Sequence, residues 1–137
     1  MIPKIIHFFF FLNKEFGKVE KQCFETWKEI LPDYELKLWN EKNFNVNINK
    51  YCKEAYENKK YAFVADVCRL HVLYKYGGIY LDTDVFVLKN FDDLLKNNLI
   101  FGMENDEVVS TACILSVKGS SYIKKIIERY DDFSFIV

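Results

Sequence analysis

Leu73-Tyr74-Lys75-Tyr76-Gly77-Gly78-Ile79-Tyr80-Leu81-Asp82-Thr83-Asp84-Val85 is the stretch on which the reading of this chain turns. The residues before it, from Ala62 to Tyr76, have helical spacing, and Gly77-Gly78 ends the helix, because glycine accepts a left-handed cap without a Cβ penalty. Ile79 to Leu81 is then an apolar strand, Asp82-Thr83-Asp84 interrupts it, and Val85 to Leu88 is apolar again. Ligands of open α/β sheets collect at strand ends. In an extended stretch, residues two apart point the same way, so both carboxylates can face one site. Their mutual repulsion is relieved by a divalent cation, and hard oxygen ligands of this kind suit Mg²⁺ or Mn²⁺ held together with phosphates. An Asp-x-Asp alone is equally a solvated turn between two short strands.

Upstream, Pro3 opens a strand over Lys4 to Phe10. Asn13 to Leu31 reads as an amphipathic helix, with Val19, Cys23, Trp27 and Ile30 at three- and four-residue spacing. Pro32-Asp33 is a stop, Tyr34 to Trp39 alternates as a short strand, Asn40 to Asn47 is polar loop, and a short helix covers Asn49 to Asn58. Downstream follow a short helix at Phe91 to Leu95, strands at Leu99 to Met103 and Val109 to Val117, and a final helix over Ser120 to Tyr130. Strands that alternate with helices predict an α/β fold with a largely parallel or mixed sheet.

The helix that enters the motif carries a second signal. Its apolar stripe is expected to be Ala62, Phe63, Val67, Leu70, Leu73 and Tyr74. Asp66 falls inside that stripe and Arg69 lies on its edge. Charges on an apolar face are costly unless paired. Either the two satisfy each other at i,i+3 spacing, or both reach a cavity and bind ligand hydroxyls. Arginine is scarce here, with Arg69 and Arg129 the only two, and its planar fork suits fixed polar recognition. The first strand adds His7 and the run Phe8 to Phe11. Alternation lets only Phe8/Phe10 or Phe9/Phe11 face one layer, and a ring at the strand end could stack on a nucleobase. His7 and His71 have no partner at metal-ligand spacing and read as core or surface histidines.

Composition sets the outer bounds. A length of 137 residues is about one domain, residues 1–137, with enough surface to bury for a real core. With 50% hydrophobic and 28% charged residues the mix is that of a folded globular chain. The 18% aromatic share assigns rings much of the core. A net charge of −1 offers no overall field for nucleic acid or an anionic membrane. The four cysteines form no C-x-x-C pair, which excludes zinc-ribbon and thioredoxin spacings and fits reduced, partly buried thiols of a cytoplasmic protein. The apolar run Ile5 to Leu12 falls short of the roughly 20 residues that span a bilayer. It reads as a buried first strand, which leaves peripheral contact with the inner face of a membrane as the one membrane role to expect.

The order of these parts is more specific than any one of them. Ile2-Pro3-Lys4-Ile5-Ile6-His7, Leu31-Pro32-Asp33-Tyr34-Glu35 with Lys37-Leu38-Trp39, and the block from Ala62 to Val85 together resemble the DXD-containing glycosyltransferases of family 32. That group includes capsule and polysaccharide sugar transferases and yeast-type mannosyltransferases, and is akin to the clostridial glucosylating toxins. The resemblance implies a GT-A-type, Rossmann-like mixed sheet flanked by helices, and a metal-dependent, retaining transfer of sugar from a nucleotide-sugar donor. UDP is the family-level expectation for the donor, and a saccharide, lipid-linked or protein acceptor is open. It further implies that Asp82 and Asp84 hold the cation and diphosphate, that Asp66 and Arg69 contact the donor sugar, that Tyr80 belongs to the donor site, and that Pro3 and Phe10 flank the base. Family members usually continue past the last helix seen here, so the apolar end Asp131 to Val137 reads as cut short. Two alternatives stand beside this reading. One is a non-catalytic nucleotide-sugar-binding remnant. The other is an Asp-x-Asp phosphohydrolase, disfavoured because its motif belongs on the first strand and is followed by a Gly-Thr type turn, whereas Val85-Phe86 follows here.

Overall fold

A computed structural model describes residues 1–135. The strands are β1 (Ile5–Phe9), β2 (Glu35–Trp39), β3 (Gly78–Leu81), β4 (Leu99–Met103) and β5 (Val109–Ser116), in the sheet order β2-β1-β3-β5-β4. β2 and β3 flank β1 in parallel, β5 runs antiparallel to β3, and β4 closes the edge antiparallel to β5. The helices are α1 (Lys18–Ile30), α2 (Lys50–Glu57), α3 (Tyr61–Tyr76) and α4 (Ser121–Asp131). Among the described residues no helix is long and apolar enough to cross a membrane.

Period-two alternation divides the core into two layers. Ile6 and Phe8 of β1, Ile79 and Leu81 of β3 and Leu115 of β5 pack with Trp27 of α1. Phe9, Tyr80 and Ile114 of the same strands pack on the other face with α2, α3 and α4. The turn from α3 into β3 needs both of its glycines. Gly77 has φ +68° and Gly78 φ +120°, and a Cβ would come 2.7 Å from the Lys118 nitrogen at the first and 2.7 Å from the Ile5 oxygen at the second. Asn49 caps α2 through a 2.7 Å bond from the Cys52 nitrogen, and Ser120 caps α4.

Five expectations need correction. α1 starts at Lys18, not Asn13: Gly17 is its extended N-cap, and the Phe16 ring packs on Phe10 at 4.5 Å, which holds residues 13–17 in a loop. Val85 to Leu88 is not a strand, since α1 side chains take its backbone bonds. Asp82-Thr83-Asp84 is a turn closed by the Val85 nitrogen on the Asp82 carbonyl at 3.1 Å, rather than an extended run. α3 is packed on several sides. Val64, Cys68 and Val72 are therefore buried along with Val67, Leu70 and Leu73, while Ala62 and Phe63 are exposed. The helix expected at Phe91 to Leu95 is a single 3₁₀ turn, Asp92–Leu94. The expected apolar end reaches Ile136 and Val137, which lie outside the described residues. Before them, Phe135 packs on Tyr51 at 5.5 Å and Phe63 at 5.3 Å.

Candidate functional site

The chain leaves β1 for β2 on one side and returns to β3 on the other, so the topology switches direction between β1 and β3. Loops leaving the carboxyl ends of two such strands diverge and leave a crevice. A crevice of about 560 Å³ lies there, lined by the Phe9 to Phe11 end of β1, by Lys14 and Glu15 of the following loop, by the first turns of α3, and by Tyr80 to Asp84.

Arg69 organises its floor. Arg69 is only 4% exposed, and its guanidinium lies over the Tyr80 ring, 4.5 Å from the centroid. Nε donates to the Ala65 carbonyl at 3.2 Å, and Nη1 donates to the Thr111 carbonyl at 2.6 Å. Nη2 lies 3.1 Å from a carboxylate oxygen of Asp66 and 3.1 Å from one of Asp82. The ion pair expected from the i,i+3 spacing forms, and both of its residues line the crevice. Each of the three guanidinium nitrogens already faces an acceptor of this chain, so the geometry makes Arg69 the holder of the two carboxylates. Burial raises the Asp66 carboxyl above its ordinary value, against the opposing pull of Arg69. Burial likewise raises Asp82, against Arg69 and with help from the negative charges of Asp84 and Asp66. Two carboxylates that are costly to charge, with a third beside them, form a site that gains from added positive charge.

The turn that carries Asp82 and Asp84 is fixed at both ends. The Asp82 nitrogen donates to the Ala112 carbonyl of β5 at 2.8 Å. On the far side, Trp27 Nε1 donates to the Val85 carbonyl at 2.8 Å, and the Val87 nitrogen donates to Thr26 Oγ1 at 2.9 Å. Asp84 sits exposed between these anchors. A short rigid loop with an exposed carboxylate is a ready ligand for a hard cation. Among the described residues no group of three or more His, Cys, Asp or Glu side chains is arranged to hold a metal by itself. Asp82 and Asp84 nevertheless fit one of the Mg²⁺ or Mn²⁺ kind, because such ions are held by one or two carboxylates with phosphate and water completing the shell.

The other expected residues divide. Phe10 lines the crevice with its ring edge-on to Phe16, and Tyr80 lies buried beneath Arg69, its phenol pushed strongly upward by burial. Pro3 is not brought there. It precedes β1, against Gly77 at the opposite end of the sheet, because a strand separates its own two ends by about 3.3 Å per residue. His7 is a core histidine: Nε2 donates to the Gly77 carbonyl at 2.9 Å, and Nδ1 accepts from Trp39 Nε1 at 3.0 Å. The sequence reading missed Lys14, Glu15, Glu20 and Tyr61 as crevice residues. The available signal was the polar run Asn13-Lys14-Glu15 directly after an apolar strand, where a strand-to-helix loop belongs.

Comparison with known proteins bears on the family and the fold. Residues 17–101 match the family described as glycosyltransferase sugar-binding region containing DXD motif. Inositol phosphoceramide mannosyltransferase 3 of Schizosaccharomyces pombe is 30% identical over 98% of this chain and 38% of its own length. A mannosyl phosphorylinositol ceramide synthase of Saccharomyces cerevisiae is 29% identical over 99% of this chain and 37% of its own length. The chain therefore spans less than two-fifths of these relatives. Among solved structures, the PaToxG glycosyltransferase superposes with a TM-score of 0.72 at 19% identity, over 93% of this chain and 58% of that one, a likeness of fold. The family match spans more than half of the chain and ends beyond the Asp82-Thr83-Asp84 turn, and on that ground the chain belongs to the DXD-containing glycosyltransferases.

Proposed function

We propose that residues 1–137 form one nucleotide-sugar-binding domain that serves metal-assisted transfer of a hexose to an acceptor. The observation that carries this reading is the Asp82-Thr83-Asp84 turn, clamped at the β1/β3 switch point beside the Asp66–Arg69–Asp82 network. The relatives' names make mannose the first sugar to test and an inositol phosphoceramide-type lipid the first acceptor. UDP and GDP are both tested as the donor's nucleotide.

Asp82 and Asp84 would hold Mn²⁺ or Mg²⁺, which when bound supplies Lewis-acid stabilisation of the departing diphosphate. Arg69 keeps Asp82 oriented toward the crevice, so the ligand set is arranged before the donor arrives and little reorganisation opposes the reaction. Asp66, tied to the same guanidinium, presents its remaining carboxylate oxygen to a sugar hydroxyl. Phe10, at the end of β1, offers an edge for the base. Retention of anomeric configuration is the stereochemical outcome we infer from the family.

The test is calorimetric titration of UDP-, GDP- and mannose-bearing donors in Mn²⁺ and then in EDTA, followed by donor turnover with and without a lipid acceptor. Binding that disappears in EDTA supports the reading. Equal affinity in both removes the metal role. Binding without turnover assigns a donor-binding module, and hydrolysis of a generic phosphate ester would point to the phosphohydrolase class.

A further inference from the structure

The charge balance of the crevice leaves one task unassigned. Five carboxylates line it against two cations, Lys14 and Arg69. Arg69 is already committed to Asp66, Asp82 and two backbone carbonyls. The N-terminus of α1, which would ordinarily attract an anion, carries the chain's own Glu20 in its first turn, with the carboxylate 3.1 Å from where a Gly17 Cβ would stand. Lys14 is the remaining cation at the crevice, and it makes no ion pair among the described residues.

Its position is built. Phe11 is buried and lies against Tyr61 with ring centroids 4.1 Å apart. The Leu12 nitrogen donates to Glu41 at 2.9 Å, and the Lys14 nitrogen closes a turn on the Phe11 carbonyl at 3.2 Å. The ammonium then lies over the Tyr61 ring, 5.2 Å from its centroid, and lines the same crevice as the Asp82 to Asp84 turn. A diphosphate entering a crevice rich in carboxylate needs positive charge on the side the metal does not cover. An exposed lysine docked on a ring face can swing to supply it without losing a salt bridge.

We propose that Lys14 binds the diphosphate of the donor and thereby acts as a second electrostatic clamp on the leaving group. The inference rests on reading this crevice as the nucleotide-sugar site. The experiment is isothermal titration of UDP, GDP and the corresponding nucleosides into the chain, into Lys14→Gln and into Lys14→Arg, with Mn²⁺ held constant and at two salt concentrations. Lys18→Gln serves as a control for general loss of charge, since Lys18 does not line the crevice. Loss of a charge-assisted contact should weaken diphosphate binding about tenfold in Lys14→Gln. Nucleoside binding should not change, the salt dependence should be shallower, and Lys14→Arg should recover most of the affinity. Diphosphate binding in Lys14→Gln equal to the wild type, or a loss matched by Lys18→Gln, overturns the clamp while leaving the donor site standing. A wild-type chain that binds neither diphosphate overturns the donor site itself, and the clamp with it.

Discussion

The two faces of the sheet draw alternate residues from the same strands, yet they are built to different rules. Toward α1 the core is apolar apart from the hydrogen-bonded hydroxyls of Thr26 and Tyr34: Ile6, Phe8, Ile79, Leu81 and Leu115 close on Trp27, with Ile2 and Leu31 completing it. Toward α3 the apolar set of Phe9, Tyr80 and Ile114 shares its layer with two buried basic side chains, His7 at 1% and Arg69 at 4% exposure. Arg69 opens onto the crevice, and His7 ties β1 to the turn that starts β3. The difference teaches that the site needs both layers. The α3 face supplies the charges, and the α1 face supplies rigidity, because Trp27 and Thr26 reach under the sheet to hold the leg of the loop just after Asp84.

Breaking the apolar side should have the largest effect. Trp27→Ala removes a fully buried indole and the donor to the Val85 carbonyl, at a cost of about 3–5 kcal/mol. Urea unfolding measures it, and a loss under about 1 kcal/mol would remove Trp27 as the keystone of that layer.

On the polar side, Arg69→Met leaves Asp66 and Asp82 facing each other without their cation. Breaking a fully buried pair costs roughly 3–5 kcal/mol. Both aspartates keep about a third of their side-chain surface exposed, so roughly 2–3 kcal/mol at pH 7 is expected after allowance for solvent screening. The sign with pH is fixed. Burial already raises both carboxyls, and loss of Arg69 raises them further, so the folded variant binds more protons than the unfolded chain. Its deficit should shrink as pH falls toward the ordinary carboxylate range. A deficit independent of pH would show that Arg69 acts through packing alone. Arg69→Lys sharpens the point: one ammonium cannot reach Ala65, Thr111, Asp66 and Asp82 together, so it should recover only part of the stability.

The smallest effect is expected at His7. Burial lowers its pKa, so the unfolded state binds a proton the native ring resists. Its contribution is present above the unfolded value of about 6.5 and is lost as pH falls below it. Protonated Nδ1 can no longer accept from Trp39. Stability measured between pH 7.5 and 5.5 should fall less steeply in His7→Gln than in the wild type. His71 retains a slope of the same sign, since burial lowers it too. Equal slopes in the two proteins would mean that His7 is not the titrating group.

Much of this arrangement is written in local pattern. Gly77-Gly78 followed by three apolar residues places the end of α3 and β3, because each step is a short-range preference, but it predicts an extended run at Asp82-Thr83-Asp84 where the chain turns. The i,i+3 spacing of Asp66 and Arg69 likewise predicts their pair. Local pattern cannot place Asp82 on the same guanidinium, because that contact closes only when α3 folds back onto β3. Nor does it separate the loop 13–17 from α1, since its polar residues are compatible with helix and only the packing of Phe16 on Phe10 and Phe24 excludes it. Val85 to Leu88 has strand composition but no strand beside it, and its partners are side chains of α1 distant in sequence. Lys14 escaped notice for the same reason: a lysine acquires a role only from the crevice it borders.

The central claim is that the Asp82-Thr83-Asp84 turn is a metal-nucleotide site rather than a solvated turn, and Asp84→Asn tests it most directly. Asp84 is exposed, and the change removes one charge at nearly constant volume, so the fold has nothing to lose. Thermal unfolding without metal and nucleoside-diphosphate titration with Mn²⁺ are measured on the same preparation. The account predicts opposite signs. Metal-free stability holds or rises slightly, because the repulsion with Asp82 is relieved. Metal-dependent affinity falls at least about tenfold, because a neutral amide is a poor ligand for a hard dication. Undiminished metal-dependent binding, with or without a fall in stability, would contradict the account and make Asp84 a residue of the turn alone.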